Sequence, residues 1–359
     1  MDGFRRNLME NDLTKIIKAS VNSPSGSNSQ PWKFIVHENV VDVIAEPEKD
    51  HPILNFRNRG TFVAHGALIE NIVISASAFG YKPAVVLFPD ESNKNITARI
   101  SFTKIEKFED SLFSSIPCRV TNRKPYSKMV LAADQKEELK HSEKEVDGGE
   151  IFFIEGEKNL IELGMAVSVN EIVMLENKNL HKLFFDEIVW TKNEEKERKN
   201  GLYLKTMELK KPQEKALHLF QYWPIMNLFN RLGLAEKIAS DNADVYASAG
   251  LGGIIVMEND DVAFLKAGRL MERIWLKVEK MGLSFHLITG VLFLRQRINA
   301  GETSDLSKKH ISLIKDAYED IVKVFNVSEE KIVGLFFRIG KADAPTSFSS
   351  KKEPIIEFF

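Results

Sequence analysis

Long segments of the chain carry apolar residues at the spacing of one helix face. The clearest segment covers residues 61–79 and is followed by Gly80, a residue type that commonly ends helices. The same spacing predicts helices over residues 12–20, 159–176, 260–281 and 305–325. Short apolar runs rich in β-branched and aromatic residues predict strands over residues 32–36, 40–45, 84–88, 97–102, 152–154, 253–257 and 332–339. Helices and strands do not alternate strictly, which favours an α+β fold over a doubly wound parallel sheet.

Composition narrows the class of protein. With 359 residues the chain is long enough for two domains. Its 49 basic and 51 acidic residues lack the basic excess that is typical of nucleic-acid-binding proteins. Residues 1–10 lack the apolar core of a signal peptide, and the longest apolar runs, such as 254–257, are too short to cross a bilayer. We therefore expect a cytoplasmic protein with neither nucleic-acid nor membrane partners.

The sequence does not support metal or disulfide chemistry. Cys118 is the sole cysteine, which excludes an internal disulfide framework and a multi-cysteine zinc site. The eight histidines are scattered without metal-ligand spacing, and the sequence contains no Walker A, HExxH or GxSxG motif. We therefore predict no metal site.

A change in composition indicates where the domains divide. Residues 104–115 are highly charged and precede Pro117, so we place one domain over residues 1–110 and a second over residues 111–359. Within the second domain, residues 192–211 are charged and predicted to be exposed. Residues 221–234 are rich in aromatic side chains and predict a helix or lid that packs on another element. Residues 192–240 together form a candidate lid.

A polar loop between the first helix and the first strand is the first candidate binding element. Residues 22–32, Asn-Ser-Pro-Ser-Gly-Ser-Asn-Ser-Gln-Pro-Trp, offer backbone N–H groups, hydroxyls and amides to a planar polar ligand. The alternative is a plain turn, because Ser, Asn, Gly and Pro are also the ordinary turn residues.

A basic segment over residues 118–126 is the second candidate. Arg119, Arg123 and Lys124 lie within it, with Thr121 between the two arginines. Two guanidinium groups and a hydroxyl suit a phosphate group, because arginine donates paired, charge-assisted hydrogen bonds. The alternative is a solvated basic turn, which is the commoner origin of three nearby cations.

Two further segments have weaker signals. Residues 282–290 begin and end with glycine and contain His286, so their backbone could approach a ligand closely. The alternative there is a helix end followed by a loop with a packed histidine. Lys351 and Lys352 follow the last predicted strand, where a basic pair also suits an exposed surface.

Taken together, these segments resemble the nitroreductase-like flavoprotein family. Residues 22–36 are similar, nearly residue for residue, to the family's loop that contacts FMN across a subunit interface. Residues 119–126 resemble the family's Arg-Arg-Ser-x-Arg motif. Later segments resemble the family's second long helix and last strand, namely residues 267–273, 282–283 and 335–342. The resemblance covers most of the chain and is weakest over residues 180–240.

The order of these motifs is unusual for the family. In an ordinary family domain the arginine motif comes first, whereas here the loop precedes an arginine motif that begins at Arg119. Residues 61–95 resemble the end of one domain, and residues 243–341 resemble the end of another. The chain thus resembles a fused pair of family domains, a homodimer in one polypeptide. This implies one FMN per chain, bound between the domains, in a monomeric pseudo-dimer or a homodimer.

The resemblance also implies which residues bind FMN. The loop of the first domain would pack on the ring and bond its polar edge through Pro24, Ser25, Gly26 and Asn28. Arg119 would lie near the ring, where positive charge favours reduced flavin, and Arg123 would pair with the phosphate beside Thr121. Val120 replaces the family's second Arg or His, so at this position only the backbone could contact FMN.

Three residues near the C-terminal end complete the implied site. Thr289 and Gly290 match the family's loop whose backbone N–H faces flavin N5, although the family often has Glu before this glycine. Lys351 lies near the family's usual phosphate-binding arginine. Because the flavin carries the chemistry, no acid, base or metal is required from the protein.

Two functions of different classes follow from the resemblance. The first is ping-pong hydride transfer, in which NAD(P)H reduces FMN and a nitroaromatic or quinone-type acceptor then takes the electrons. The second is storage or sequestration of FMN beneath a cover, for which the aromatic residues 219–234 are candidates. A third interpretation, a degenerate domain without a cofactor, is disfavoured by the intact loop and arginine motif.

Overall fold

The computed structural model of the protein describes residues 2–328 and 330–359. The helices are α1 (Asp2–Ser20), α2 (Arg59–Ala78), α3 (Ala133–Glu145), α4 (Glu157–Glu176), α5 (Lys178–Glu187), α6 (Lys192–Arg198), α7 (Lys211–Phe220), α8 (Trp223–Asn230), α9 (Leu234–Ala247), α10 (Asp261–Lys280), α11 (Gly290–Asn299) and α12 (Lys308–Phe325). The strands are β1 (Trp32–His37), β2 (Val40–Ala45), β3 (Tyr81–Leu87), β4 (Ile96–Lys104), β5 (Glu150–Ile154), β6 (Ile188–Val189), β7 (Leu202–Tyr203), β8 (Leu251–Met257), β9 (Ser284–Leu287), β10 (Ile332–Gly340) and β11 (Ile356–Phe358). Helices packed on two larger sheets, beside a two-stranded sheet of β6 and β7, confirm the predicted α+β class.

The first sheet is built mainly from the N-terminal part of the chain. Its strand order is β11-β1-β2-β4-β3, with antiparallel pairing from β1 through β3. β11 comes from the C-terminus and pairs in parallel with β1, aligning Ile356 with Phe34. The last residues of the predicted second domain, 111–359, therefore contribute a strand to the sheet of the predicted first domain. A three-residue strand carries too few side chains for its periodicity to be predicted.

The second sheet has the order β5-β8-β10-β9 and is antiparallel throughout. Every residue of β8 is buried, because helices cover both faces of this strand. Leu251 and Ile255 face the core that contains α2 and α10, whereas Ile254 and Val256 face the core under α4 and α12. The continuous apolar run in the sequence follows from this double coverage.

The two halves of the protein meet where α2 crosses α10. A Cβ atom on Gly66 would overlap the backbone carbonyl of Leu265, and one on Gly268 would overlap the carbonyl of Val63. One shift along the chain maps Gly66 onto Gly268 and also maps Val63 onto Leu265. The crossing is thus locally two-fold symmetric, as expected for two related helices in a fused pair of domains.

One helix among the described residues has the length and hydropathy of a membrane span. It covers Phe56–Ala78, with a mean hydropathy of 1.3, and 89% of this segment's most apolar window is buried inside the fold. Its apolar residues do not form one consecutive run, because Asn71, Ser75 and other polar residues interrupt them. Those polar residues are themselves buried, as in the core helix of a globular fold.

Several predicted boundaries differ from the structure. The predicted helix over residues 12–20 begins at Asp2, and the one over residues 305–325 begins at Lys308. The later start has a clear cause, because the Ser307 side chain accepts a hydrogen bond from the His310 N–H and caps the helix. The predicted exposure of residues 192–211 is wrong for four residues, which are buried: Glu195, Tyr203, Leu204 and Thr206.

Candidate functional site

The loop from Asn22 to Gln30 has an unusual backbone. Ser27, Asn28 and Gln30 have φ angles of 43°, 56° and 53°, a left-handed region that non-glycine residues seldom adopt. The Ser25 hydroxyl accepts a hydrogen bond from the Gln30 N–H at 3.0 Å, which closes the loop on itself. Three such residues in one short loop indicate that the surrounding structure fixes its shape.

Arg119 joins this loop to the second half of the chain. Its Nε and Nη2 atoms donate to the Asn22 carbonyl at 3.0 and 2.7 Å. The guanidinium carbon lies 4.5 Å from the centre of the Trp275 ring, and Nε lies 3.3 Å from Glu272 Oε1. Burial lowers the pKa of Arg119, while Glu272 opposes that effect.

Lys351 reaches the same loop from the C-terminal tail. Its Nζ donates to the Ser23 carbonyl at 2.7 Å and to Asn28 Oδ1 at 2.8 Å. Burial and the nearby positive charge of Arg119 lower the pKa of Lys351 to about 7. Two cations from distant parts of the sequence therefore meet on one loop, although they repel each other.

Three further segments enclose the outer side of the loop. Ser27 donates to the Glu187 carboxylate at the end of α5, and Gln30 Nε2 donates to the Lys199 carbonyl just after α6, at 2.6 Å. The Asn28 side chain donates to the Ser350 carbonyl at 2.9 Å. Residues 187–199 and the C-terminal tail thus cover the loop.

The aromatic segment over residues 219–234 lies elsewhere. Met226 is buried in a small cluster with Leu175 and Phe185, and Trp223 contacts the His181 ring at 5.2 Å between centres. His181 Nε2 also lies 2.8 Å from the Phe220 carbonyl oxygen. Within the candidate lid it is therefore Lys199, directly after α6, and not these aromatic residues, that contacts the loop.

Arg123 belongs to a second polar cluster. Its Nη1 donates to the Thr206 carbonyl at 3.1 Å, and burial lowers its pKa while Tyr246 and Tyr126 raise it. Arg338, which is 1% exposed, lies with its guanidinium carbon 4.0 Å from the Tyr126 ring centre. Arg338 Nη2 also donates to the Lys124 carbonyl at 2.9 Å, so Arg338 holds the backbone of the 119–126 motif in place.

The start of α11 lies beside this second cluster. Gly290 is the first residue of α11, and a Cβ there would overlap the Asn170 side chain. The next residue on α4, Glu171, accepts a hydrogen bond from the Tyr246 hydroxyl at 2.6 Å. Burial raises the pKa of Glu171 to about 7, and its Oε2 has no hydrogen-bond partner among the described residues.

The structure thus places the predicted site residues in two neighbouring groups. The first group surrounds the loop and comprises Pro24, Ser25, Gly26, Asn28, Arg119 and Lys351. The second group comprises Thr121, which forms a bridge to Phe285 in β9, with Arg123, Thr289 and Gly290. Val120 is half-buried in the chain segment that links the two groups.

Sequence reasoning missed several residues of the site. Glu272 and Glu171 are acidic residues within predicted helices, and each carries a carboxylate oxygen without a hydrogen-bond partner among the described residues. Glu272 was detectable in principle, because a carboxylate on the apolar face of an amphipathic helix is exceptional. Tyr246 and Arg338 gave no comparable signal.

The donor set of the first group fits an anionic ligand. Arg119, which is buried, and Lys351, which is half-buried, supply positive charge, and the Ser23 hydroxyl is buried without a partner in the described part of the chain. Buried polar groups normally have partners, so an orphaned hydroxyl beside two cations suits a bound polar group. Arg123 and Thr121 offer further donors at the second group.

Comparison with known proteins finds distant relatives. No protein-family model matches the chain. An uncharacterized protein of Mycobacterium tuberculosis is 18% identical over 340 residues, which cover 94% of this chain and 47% of that protein. A putative NAD(P)H nitroreductase of the same species is 24% identical over 114 residues, or 31% of this chain and 33% of that protein. The chain therefore matches about half or less of the length of these relatives.

Solved structures give weaker matches. A putative nitroreductase from Anabaena variabilis is 10% identical with a TM-score of 0.39, over 84% of this chain and 69% of that one. A nitroreductase with bound FMN from Bacteroides fragilis is 12% identical with a TM-score of 0.37, over 68% of this chain and 94% of that one. The nitroreductase among the sequence relatives confirms that this chain resembles the nitroreductase-like family.

Proposed function

We propose that this chain is an FMN-dependent oxidoreductase that transfers a hydride from NAD(P)H to nitroaromatic or quinone-type acceptors. One observation carries the proposal. Arg119 and Lys351 converge on the Pro-Ser-Gly-Ser-Asn loop, which the sequence resemblance associates with FMN. The putative NAD(P)H nitroreductase among the relatives supports the same class of reaction.

Each group of the site has a role in holding FMN. Arg119 and Lys351 supply positive charge, which stabilises the phosphate and favours the reduced, anionic state of the ring. Arg123 and Thr121 offer further phosphate or edge contacts, while Thr289 and Gly290 present the backbone at the start of α11. When bound, FMN accepts the hydride and passes electrons on, so the side chains only orient it and shape access.

The site draws on both halves of the chain. The loop belongs to the first half, whereas Arg119, Lys351 and α11 come from the second half and the tail. We propose that the functional unit binds one FMN per chain. A fragment ending at Glu109 should lose FMN, because it contains none of Arg119, Arg123 and Lys351.

The decisive experiment is anaerobic stopped-flow reduction of the purified, FMN-loaded protein by NADH and by NADPH. Rapid bleaching of the flavin absorbance near 450 nm is expected with at least one nicotinamide, since hydride transfer requires an accessible ring. Dithionite reduction is the control for a redox-competent flavin. FMN that dithionite bleaches but neither nicotinamide reduces would refute the oxidoreductase and favour storage of FMN.

A further inference from the structure

Two buried glutamates occupy equivalent positions on the crossing helices. The shift that maps Gly66 onto Gly268 also maps Glu70 of α2 onto Glu272 of α10. Both side chains are fully buried. The partners of the two carboxylates are different, and only Glu272 lies beside the candidate FMN site.

Glu70 has complete partners from the opposite helix. Arg273 Nε donates to its Oε1 at 2.6 Å, and Arg269 Nε donates to its Oε2 at 3.0 Å. The two arginines thus neutralise and cap this carboxylate.

Glu272 lacks those partners. The same shift places Ala67 and Asn71 of α2 where α10 carries Arg269 and Arg273. Neither oxygen of Glu272 accepts a well-aligned hydrogen bond from a described residue, and its nearest cation is Arg119, at 3.3 Å. A buried carboxylate without well-aligned donors is costly, so it persists where a nearby charge or a ligand compensates for it.

We propose that Glu272 is the internal counter-ion of the anion site, which balances Arg119 in the absence of ligand and weakens the binding of anionic FMN. The proposal rests on the proposed function and specifies what sets its affinity. An ionised Glu272 repels the ligand's negative charge, whereas a protonated one does not. Binding of FMN is therefore coupled to proton uptake by Glu272.

The charged groups around Glu272 agree with this role. Burial raises its pKa to about 7, Arg119 and Lys351 oppose the rise, and Glu70 of α2 adds to it. The polar Asn71 of α2 also faces Glu272 and lowers its pKa. The carboxylate is thus largely ionised at pH 8.5 and largely protonated at pH 6.

The test is fluorescence titration of the apo-protein with FMN at pH 6 and pH 8.5. At pH 8.5 Glu272→Gln is expected to bind FMN about tenfold more tightly than the wild type, which corresponds to about 1.4 kcal/mol. At pH 6 the two proteins should bind alike. Glu279→Gln, on the same helix but half-buried, is the matched control and should stay within about twofold of the wild type at both values.

Either of two results overturns the proposal. If Glu272→Gln binds FMN more weakly than the wild type, the carboxylate accepts a hydrogen bond from the ligand directly. If its affinity at pH 8.5 is unchanged, the charge of Glu272 does not affect binding. Glu272→Met, similar in length and uncharged, serves if the glutamine variant fails to fold. A wild type that binds no FMN would refute the proposed function instead. In that case inorganic phosphate is used as the ligand in place of FMN. The increase in melting temperature that phosphate causes at pH 8.5 is then compared between Glu272→Gln and the wild type.

Discussion

Arg119 and Asn22 are linked by two hydrogen bonds, from Nε and Nη2 of the guanidinium to one backbone carbonyl. The link is reciprocal, because the Asn22 side chain donates to the Ile116 carbonyl at 2.6 Å and to the Arg119 carbonyl at 3.3 Å. The start of the loop and the start of the arginine motif are therefore held as one unit. A ligand that bridges the two halves would meet a preformed site, which lowers the entropic cost of binding.

Replacing Arg119 with alanine should abolish FMN retention and destabilise the fold. The substitution removes both hydrogen bonds to Asn22 and leaves Glu272 buried without its nearest cation. Loss of one partner of a buried ion pair costs about 3 kcal/mol. Urea denaturation of the apo-protein measures the stability, and gel filtration followed by flavin absorbance measures retention.

The double variant Arg119→Ala/Glu272→Gln separates these effects. Removing the uncompensated carboxylate should restore much of the stability lost in Arg119→Ala, whereas FMN retention should stay low. Stoichiometric FMN in either variant after gel filtration would show that Arg119 is not part of the cofactor site.

Lys351 should make FMN affinity depend on pH. Its pKa of about 7 means that the amine is mostly charged at pH 6 and neutral at pH 9. Because an anion binds the charged form, affinity should fall as pH rises through this window. Lys351→Arg, which stays charged at pH 9, should bind more tightly than the wild type at that pH. Lys351→Met should bind weakly at both values, as measured by FMN fluorescence titration.

Stability provides the control for Lys351. The pKa of this amine is lower in the folded protein than in an unfolded chain, so keeping it charged at pH 6 costs folding free energy. Lys351→Met should therefore lose FMN affinity without a lower melting temperature at pH 6. A variant that loses both together would indicate a structural role for the lysine.

The sequence was sufficient for the elements whose periodicity is strong and local. The predicted strands over residues 32–36 and 40–45 lie within β1 and β2, and the helix over 260–281 matches α10 to within one residue at each end. These segments bury one regular face, so their pattern follows directly from geometry. The placement of β11 beside β1 depends on the path of the whole tail and has no such local signal.

The candidate site was predictable only in part. The loop and the arginine motif were identified through their resemblance to a family, because composition alone also allowed turns. Neither periodicity nor motif spacing could reveal that Lys351 reaches Asn28, since that contact depends on where a long tail packs. The difference between Glu70 and Glu272 needed the helix crossing, which places different side chains opposite two equivalent residues.

The Gly66 position should not tolerate a methyl group. A Cβ there would overlap the Leu265 carbonyl and approach the backbone of Gly268 and Arg269, none of which can move without shifting α10. Gly66→Ala should therefore destabilise the protein by at least about 3 kcal/mol, at the upper end of overpacking effects. Gly26→Ala is a suitable control, because its Cβ would meet only Asp50 Oδ1, at 3.8 Å. Equal melting temperatures for the two variants would contradict the close crossing.

Acid should weaken the fold through His65. This histidine is fully buried on α2, with Nε2 2.8 Å from the Pro31 carbonyl and Nδ1 2.7 Å from Thr97 Oγ1. Since a carbonyl can only accept, Nε2 carries the proton of the neutral ring. The Thr97 hydroxyl has two acceptors within reach, the unprotonated Nδ1 and the Val43 carbonyl at 3.1 Å. Burial lowers the pKa of His65 to about 4, so protonation opposes folding.

The expected pH dependence follows from that difference. Between pH 6.5 and pH 4 the unfolded chain binds a proton at this histidine and the folded protein does not. The free energy of unfolding therefore decreases by up to about 3 kcal/mol as the pH is lowered from 6.5 to 4. His65→Gln, which can still donate to the Pro31 carbonyl, should lose part of this slope while being less stable at pH 7. Urea unfolding of both proteins from pH 4 to pH 7 measures the difference. Parallel pH profiles would assign the acid sensitivity to other groups and leave His65 as a packing residue that anchors the end of the loop.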